Sequence, residues 1–172
     1  MNKSRFLQLV IALLFIQCYP TSEIVGQFTE MEFEEMATEM AQGDTRDIEV
    51  ANLKMIKEKV ILLDTREKKE YEISHIPGAI WVGYNNFKLK RVKAIAKDAK
   101  IVTYCSVGYR SERIGEKLQK AGFSDVSNLK GSIFKWVNEG NPLEDKEGNA
   151  TDKVHGFDKD WGKWVKGDKA VY

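Results

Sequence analysis

Short apolar runs of strand length, spaced by stretches of helical period, are what most constrains this chain's fold. "VILLD" (60–64), "IVTY" (101–104) and "VSNL" (126–129) read as buried strands, with a shorter one around 80–82 after the Pro77-Gly78 turn. Between them lie helical patterns: Val50, Leu53 and Ile56 within 50–59, the stretch 111–121 stopped by Gly122, and "GSIFKWVNEG" (131–140), a short helix between glycines. Residues 87–99 are amphipathic and lysine-rich. Strands that alternate with helices predict an α/β domain, a parallel sheet flanked by helices on both faces. Upstream, 29–41 reads as an added helix. Thr29 and Glu32 have capping-box spacing, and Phe33, Met36, Ala37 and Met40 share one face that suits docking on a core. Residues 42–47 form a polar break. There is no internal repeat and no low-complexity segment.

The first residues have the makeup of an export leader. Lys3 and Arg5 precede an apolar run over 6–16, interrupted only by Gln8, and Pro20, Thr21 and Ser22 follow. The run is shorter than the roughly 20 residues that a membrane span needs. A cut after Gly26 would leave Gln27 first. An uncleaved anchor and lipid attachment at Cys18 are the lesser alternatives, the latter because bulky Gln17 stands where a small residue is wanted. The expected mature protein is periplasmic or secreted and has no membrane span. The formal charge of the 172-residue chain is +1, and without residues 1–26 it is neutral. No electrostatic footprint points to nucleic acid or an anionic membrane. The expected partners are small molecules, and the expected state is a monomer.

Loss of the leader would also remove Cys18 and leave Cys105 alone in a compartment where thiols are oxidised. A lone thiol there is an intermolecular link, a buried bystander or a reactive group. Its neighbours favour reactivity. In an open α/β sheet ligands bind beyond the carboxyl ends of strands, and Cys105 ends one, with the next helix expected near Ser111. Inward-turned loop amides and a helix N-terminus lower a thiol's pKa from about 8.5 into a range of roughly 3.5–7.5. Gly108 permits a tight bend, and Arg110 supplies a donor for an anion over the sulfur. Cys105 is therefore expected to be a thiolate at neutral pH. His75 and His155 lie far apart with no cysteine beside either, so no metal cluster is expected.

At this point a family resemblance enters. "YCSVGYRS" (104–111) resembles the active-site loop of rhodanese domains, sulfurtransferases that carry sulfur as a cysteine persulfide. "LLDTREKKEYEISHIPGAIW" (62–81) resembles the family's other signature, an Asp-x-Arg followed by Glu-Tyr and His-Ile-Pro-Gly-Ala. "LKGSIFKWVNEGNP" (129–142) is similar to its closing Gly-Gly-x-x-x-Trp segment. The resemblance sets a rhodanese domain at 46–143, between an N-terminal extension (27–45) and a C-terminal one (144–172).

The resemblance implies that Cys105 attacks the outer sulfur of thiosulfate or a related donor. Ser106, Val107, Gly108, Tyr109, Arg110 and Ser111 would bind that sulfur and the anionic donor. Cyanide or a thiol would then accept the sulfur, with no metal or organic cofactor. Asp64 and Arg66 would brace the site, and His75 would be a structural hydrogen-bonding residue. Related phosphatases and arsenate reductases place five residues between cysteine and arginine, whereas here there are four, a smaller ring that suits a sulfur atom. That chemistry and a non-catalytic docking module stand as alternatives. Ser106, where some thiosulfate-using members carry a basic residue, weakens the case for high thiosulfate affinity. Trp81 and Trp136 are expected in the core or pocket wall. The tail "GFDKDWGKW" (156–164) is expected to pack over the domain, with Lys153, Lys159 and Lys163 on a solvated face.

Overall fold

The computed structural model describes residues 21–172, with side chains from Thr29 onward. The apolar stretch read as a leader, with Cys18, lies outside the described residues. Helix α1 (Thr21–Met40) already contains Thr29 in mid-course, and the cut expected after Gly26 falls inside it. The spacing of Thr29 and Glu32 therefore marks no helix start, because nothing at residues 27–28 breaks the helical run. Among the described residues, those up to Glu35 belong to one unit and residues 36–172 form a second, which holds everything that follows.

Its centre is a five-stranded parallel sheet in the order β1-β5-β4-β2-β3, built from β1 (Arg46–Ile48), β2 (Ile61–Asp64), β3 (Ile80–Trp81), β4 (Lys100–Tyr104) and β5 (Asp125–Leu129). The helices are α2 (Val50–Ile56), α3 (Lys68–Ile73), α4 (Tyr109–Lys120) and α5 (Ser132–Asn138). This is the expected α/β architecture. Successive residues of a strand face opposite sides. Leu63 and Ile101 join Val82, Val92, Ile114, Leu118, Phe123 and Val126 in one apolar cluster, while Leu62, Val102 and Tyr104 point the other way and are also buried. Both faces are covered, which is why the strands read as continuous apolar runs.

Residues 87–99 form no regular helix beyond one 3-10 turn, Leu89–Val92. The segment is held instead by single anchors. Val92 enters the core cluster, the Arg91 guanidinium stacks 4.4 Å over the Trp81 ring, and the Lys97 carbonyl accepts from the Ser124 amide at 2.9 Å. These tie-downs at uneven spacing override the helical period.

The chain past α5 forms two small ladders. β6 (Leu143–Glu144) pairs antiparallel with β7 (Ala150–Thr151), and β8 (Val154–His155) pairs parallel with β9 (Ala170–Val171), with the short helix α6 (Lys159–Gly162) between β8 and β9. Asn138 at the end of α5 binds this segment twice, donating to the Trp164 carbonyl and accepting from the Lys166 amide, both at 2.8 Å. The tail therefore packs over the domain. Lys159 and Lys163 are exposed, and Lys153 is half-buried against Asp168.

Asp64 ends β2 beside Tyr104, the last residue of β4. It accepts from Arg66 at both oxygens, at 2.7 to 3.1 Å, and both side chains are fully buried. Arg66 also donates to the Ser74 carbonyl at 2.6 Å, and its own carbonyl accepts from the Trp81 indole at 2.9 Å. Arg66 thus ties the ends of β2, α3 and β3 together, by its side chain to Asp64 and the Ser74 carbonyl and by its backbone to Trp81. Removing a single partner would leave a buried charge uncompensated. Asp64→Ala is expected to destabilise the fold by about 3–5 kcal/mol in urea unfolding, and a loss under 1 kcal/mol would remove the pair from the fold's supports.

Candidate active site

Cys105 follows β4, the central strand, and is fully buried. The turn after it is shorter than the sequence suggests. Helix α4 begins at Tyr109, so Tyr109 and Arg110 lie in its first turn and only 105–108 remain as loop. Gly108 makes the early start possible: its φ of +128° is one that side-chain-bearing residues rarely adopt, and a Cβ there would press on Ala41 at 3.2 Å.

Three of the loop's four carbonyls are taken up by neighbouring groups. Those of Cys105 and Ser106 accept from the amides of Ile133 and Phe134, at 3.2 and 3.1 Å, and so satisfy the open N-terminus of α5. The Gly108 carbonyl accepts from the Ser111 hydroxyl, the Asn128 amide group and the Glu112 amide. These bonds fix the backbone of the loop around the sulfur. The Gly108 amide donates to the Cys105 sulfur at 3.2 Å.

Burial pushes the Cys105 thiol up, but the nearby Arg110 charge, the hydroxyl and amide of Ser111, and the Gly108 amide together outweigh it and hold the thiol below its ordinary value. Arg110 is itself engaged. Its guanidinium meets the Glu70 carboxylate in a two-pronged pair at 2.7 and 2.8 Å and donates to the Ser106 hydroxyl at 2.9 Å. Burial pushes Glu70 up, yet the hydrogen bonds and charge of Arg110 leave it below the usual carboxylate range.

Two residues of this arrangement had no role assigned from sequence. Glu70 belongs to the Glu-Tyr pair of the second signature, and it also closes the capping box at the start of α3, accepting from the Glu67 amide at 2.9 Å. Only the fold brings it across to Arg110. Ser132 stands at the second glycine position of the closing segment. It keeps a positive φ of 51°, and its hydroxyl accepts from the Cys105 amide and donates to the Leu129 carbonyl, each at 3.1 Å. A left-handed residue costs roughly 1–2 kcal/mol. The two bonds offset that cost while fixing the backbone of Cys105.

His75 lies elsewhere, buried and stacked on Tyr71 with ring centroids 3.8 Å apart. Its Nδ1 is 3.0 Å from the Tyr71 carbonyl and its Nε2 is 3.2 Å from Glu144, contacts that join α3 to β6. Trp136 is buried in the core, its indole donating to the Pro142 carbonyl at 2.8 Å. Among the described residues no group of histidine, cysteine and carboxylate side chains is arranged to hold a metal ion.

Residues 48–139 match the rhodanese-like domain family. The chain belongs to that family. Curated relatives include the tRNA uridine(34) hydroxylases of Buchnera aphidicola subsp. Schizaphis graminum, 38% identical over 95 residues (52% of this chain, 30% of that protein), and of Listeria welshimeri serovar 6b, 37% identical over 84 residues (46% and 26%). The chain thus spans less than a third of the length of these relatives. Among solved structures, a rhodanese-like domain of the Anabaena sp. Alr3790 protein superposes with a TM-score of 0.54 at 26% identity, covering 59% of this chain and 80% of that one. A thiosulfate sulfurtransferase of Pseudomonas aeruginosa shares the fold, with a TM-score of 0.55 at 21% identity, covering 80% of this chain and 26% of that one. The rhodanese-like match ends before β6, so the ladders of the tail lie beyond it.

A cavity of about 390 Å³ opens over Cys105, Ser106, Val107, Tyr109 and Arg110. The thiolate form of Cys105 prevails above the thiol's pKa and is lost as pH falls through it. Arg110→Gln removes the cation that holds this value down. The midpoint of Cys105 alkylation against pH should therefore move to higher pH in the variant, and an unmoved midpoint would exclude Arg110 as its source.

Proposed function

We propose that this protein is a sulfurtransferase that carries a sulfane sulfur on Cys105. The observation that supports this most directly is the setting of the thiol. It is buried at the carboxyl end of the central strand, with the Gly108 amide on its sulfur and the Arg110 charge beside it. The thiolate attacks the outer sulfur of a donor, thiosulfate or a compound of like reactivity. The bond between the donor's sulfurs breaks, its electron pair leaves with the inner group, and Cys105 retains a persulfide. The Gly108 amide and the N-terminus of α4 stabilise the terminal sulfur's charge. A thiol or cyanide then attacks that sulfur and regenerates the thiolate. The cycle uses no metal or organic cofactor, and one copy of the chain supplies every group. The four-residue loop, too tight for a tetrahedral oxyanion, supports sulfur over phosphoryl transfer.

The hydroxylase name belongs to relatives more than three times the length of the matched segment. What this proposal takes from them is the cysteine-bearing domain. Residues 1–26 are read as an export leader, which would place the mature protein in the periplasm or outside the cell. N-terminal sequencing of the exported protein should begin at Gln27, and recovery of the uncut chain from the cytoplasm would overturn that reading.

The chemistry is tested by intact mass after incubation with sulfur donors. The protein should gain one sulfur, lose it to cyanide as thiocyanate, and gain nothing as Cys105→Ser. A gain that persists in Cys105→Ser, or none with any donor, would refute sulfur carriage at this residue.

A further inference from the structure

The cavity over Cys105 is walled by more than its own loop. Met40 and Tyr84 line it together with Phe157 and Trp161, two aromatic residues from the tail that the family match does not reach. This wall is built in. β8 pairs with β9 on one side of the segment, and Asn138 ties it to α5. A Cβ at Gly156 or at Gly162 would run into the Tyr172 ring, so the last residue of the chain packs directly against the backbone on either side of Phe157 and Trp161. Phe157 is held at a φ of +68°, where its amide donates to the Nδ1 of His155 at 2.9 Å, and the Arg110 guanidinium carbon stands 5.3 Å from the centre of its ring. The Asp158 carboxylate caps α6 by accepting from the amides of Asp160 and Trp161, which fixes the backbone that carries the indole.

The charges of the cavity point the same way as its shape. Arg110 is the one cationic side chain among the described residues that line it, and Glu70 already neutralises it through two hydrogen bonds. Glu67 adds a carboxylate to the lining, and the Cys105 thiolate adds a further negative charge. A doubly charged inorganic donor meets no uncommitted cation here. At about 390 Å³ the cavity also falls in the range of organic ligand sites, far beyond what thiosulfate or cyanide fills.

We infer that the donor used by this site is an organic sulfane-sulfur compound with an apolar, ring-sized body, and that Phe157 and Trp161 determine its selection. This rests on the sulfur-transfer reading above. The body lies against the aromatic wall while the reactive sulfur reaches Cys105. For an organic persulfide, the thiolate takes the outer sulfur with its proton and the donor leaves as its own thiolate, so charge is conserved. For an organic thiosulfonate, R–SO2–S⁻, the thiolate takes the terminal sulfur, the S–S bond breaks, and the sulfinate R–SO2⁻ leaves with the electron pair. Neither step draws on an external oxidant or reductant.

Three donors separate the possibilities: thiosulfate, methanethiosulfonate and benzenethiosulfonate, each with cyanide as acceptor and thiocyanate as readout. kcat/KM should be at least about tenfold higher for benzenethiosulfonate than for the other two, the advantage of burying one ring. The ratio of benzenethiosulfonate to methanethiosulfonate should fall by roughly tenfold in Phe157→Gly and in Trp161→Ala. Glycine is chosen at 157 because it accepts a positive φ without strain, so a loss there reports the ring and not the backbone. Equal use of the three donors, or a ratio that the variants leave unchanged, would overturn the inference while sulfur transfer at Cys105 stands. Loading of Cys105 by none of them would remove both together.

Discussion

The hydrogen bonds that fix the backbone of the Cys105 loop are what the rest of the site depends on. A loop of four residues between a strand and a helix has few ways to satisfy its polar backbone. Here the carbonyls of Cys105 and Ser106 turn to the unpaired amides at the start of α5, and that of Gly108 turns to Asn128 and to α4. With the backbone fixed in this way, the amide of Gly108 donates to the sulfur. Two needs are met by one arrangement, since the helix end gains acceptors and the thiol gains donors. Ser132 belongs to the same device. Its unfavourable φ is tolerated because its hydroxyl bridges the Cys105 amide to the end of β5.

Electrostatics at the site work through a chain of committed partners. Glu70 fixes the Arg110 guanidinium, Arg110 draws the thiol's pKa down, and Ser106 completes the group by accepting from Arg110. Such a cation serves Cys105 as a steady field and has little left to offer an incoming anion. Ser106, read from sequence as a mark of weak thiosulfate affinity, fits this picture because its hydroxyl is occupied by Arg110 and lies 3.4 Å from Glu70.

Much of the fold was legible because strand burial on both faces leaves an unmistakable apolar run, and β2, β4 and β5 lie within a residue of their expected places. The lysine-rich stretch after Phe87 was less legible. Its period suits a helix, and only contacts with Trp81 and Ser124, distant in sequence, decide otherwise. The start of α4 was expected near Ser111, whereas the positive φ of Gly108 turns the chain at once and the helix begins at Tyr109. At the site, the loop residues are contiguous in sequence and could be named directly. Glu70, Ser132 and the pair Phe157 and Trp161 reach the loop from three other parts of the chain, and no local pattern encodes such a meeting.

Full burial of Cys105 has a bearing on how long its chemistry survives. The thiol has no exposed surface, so a reagent reaches it only by entering the cavity that it lines. A disulfide carried by another folded protein is too bulky to bring its sulfur there, although a peroxide is small enough. The cavity is therefore a size filter as well as a binding site. In an oxidising compartment that filter would slow mixed-disulfide formation, leaving sulfur compounds of substrate size as the partners able to exchange with Cys105.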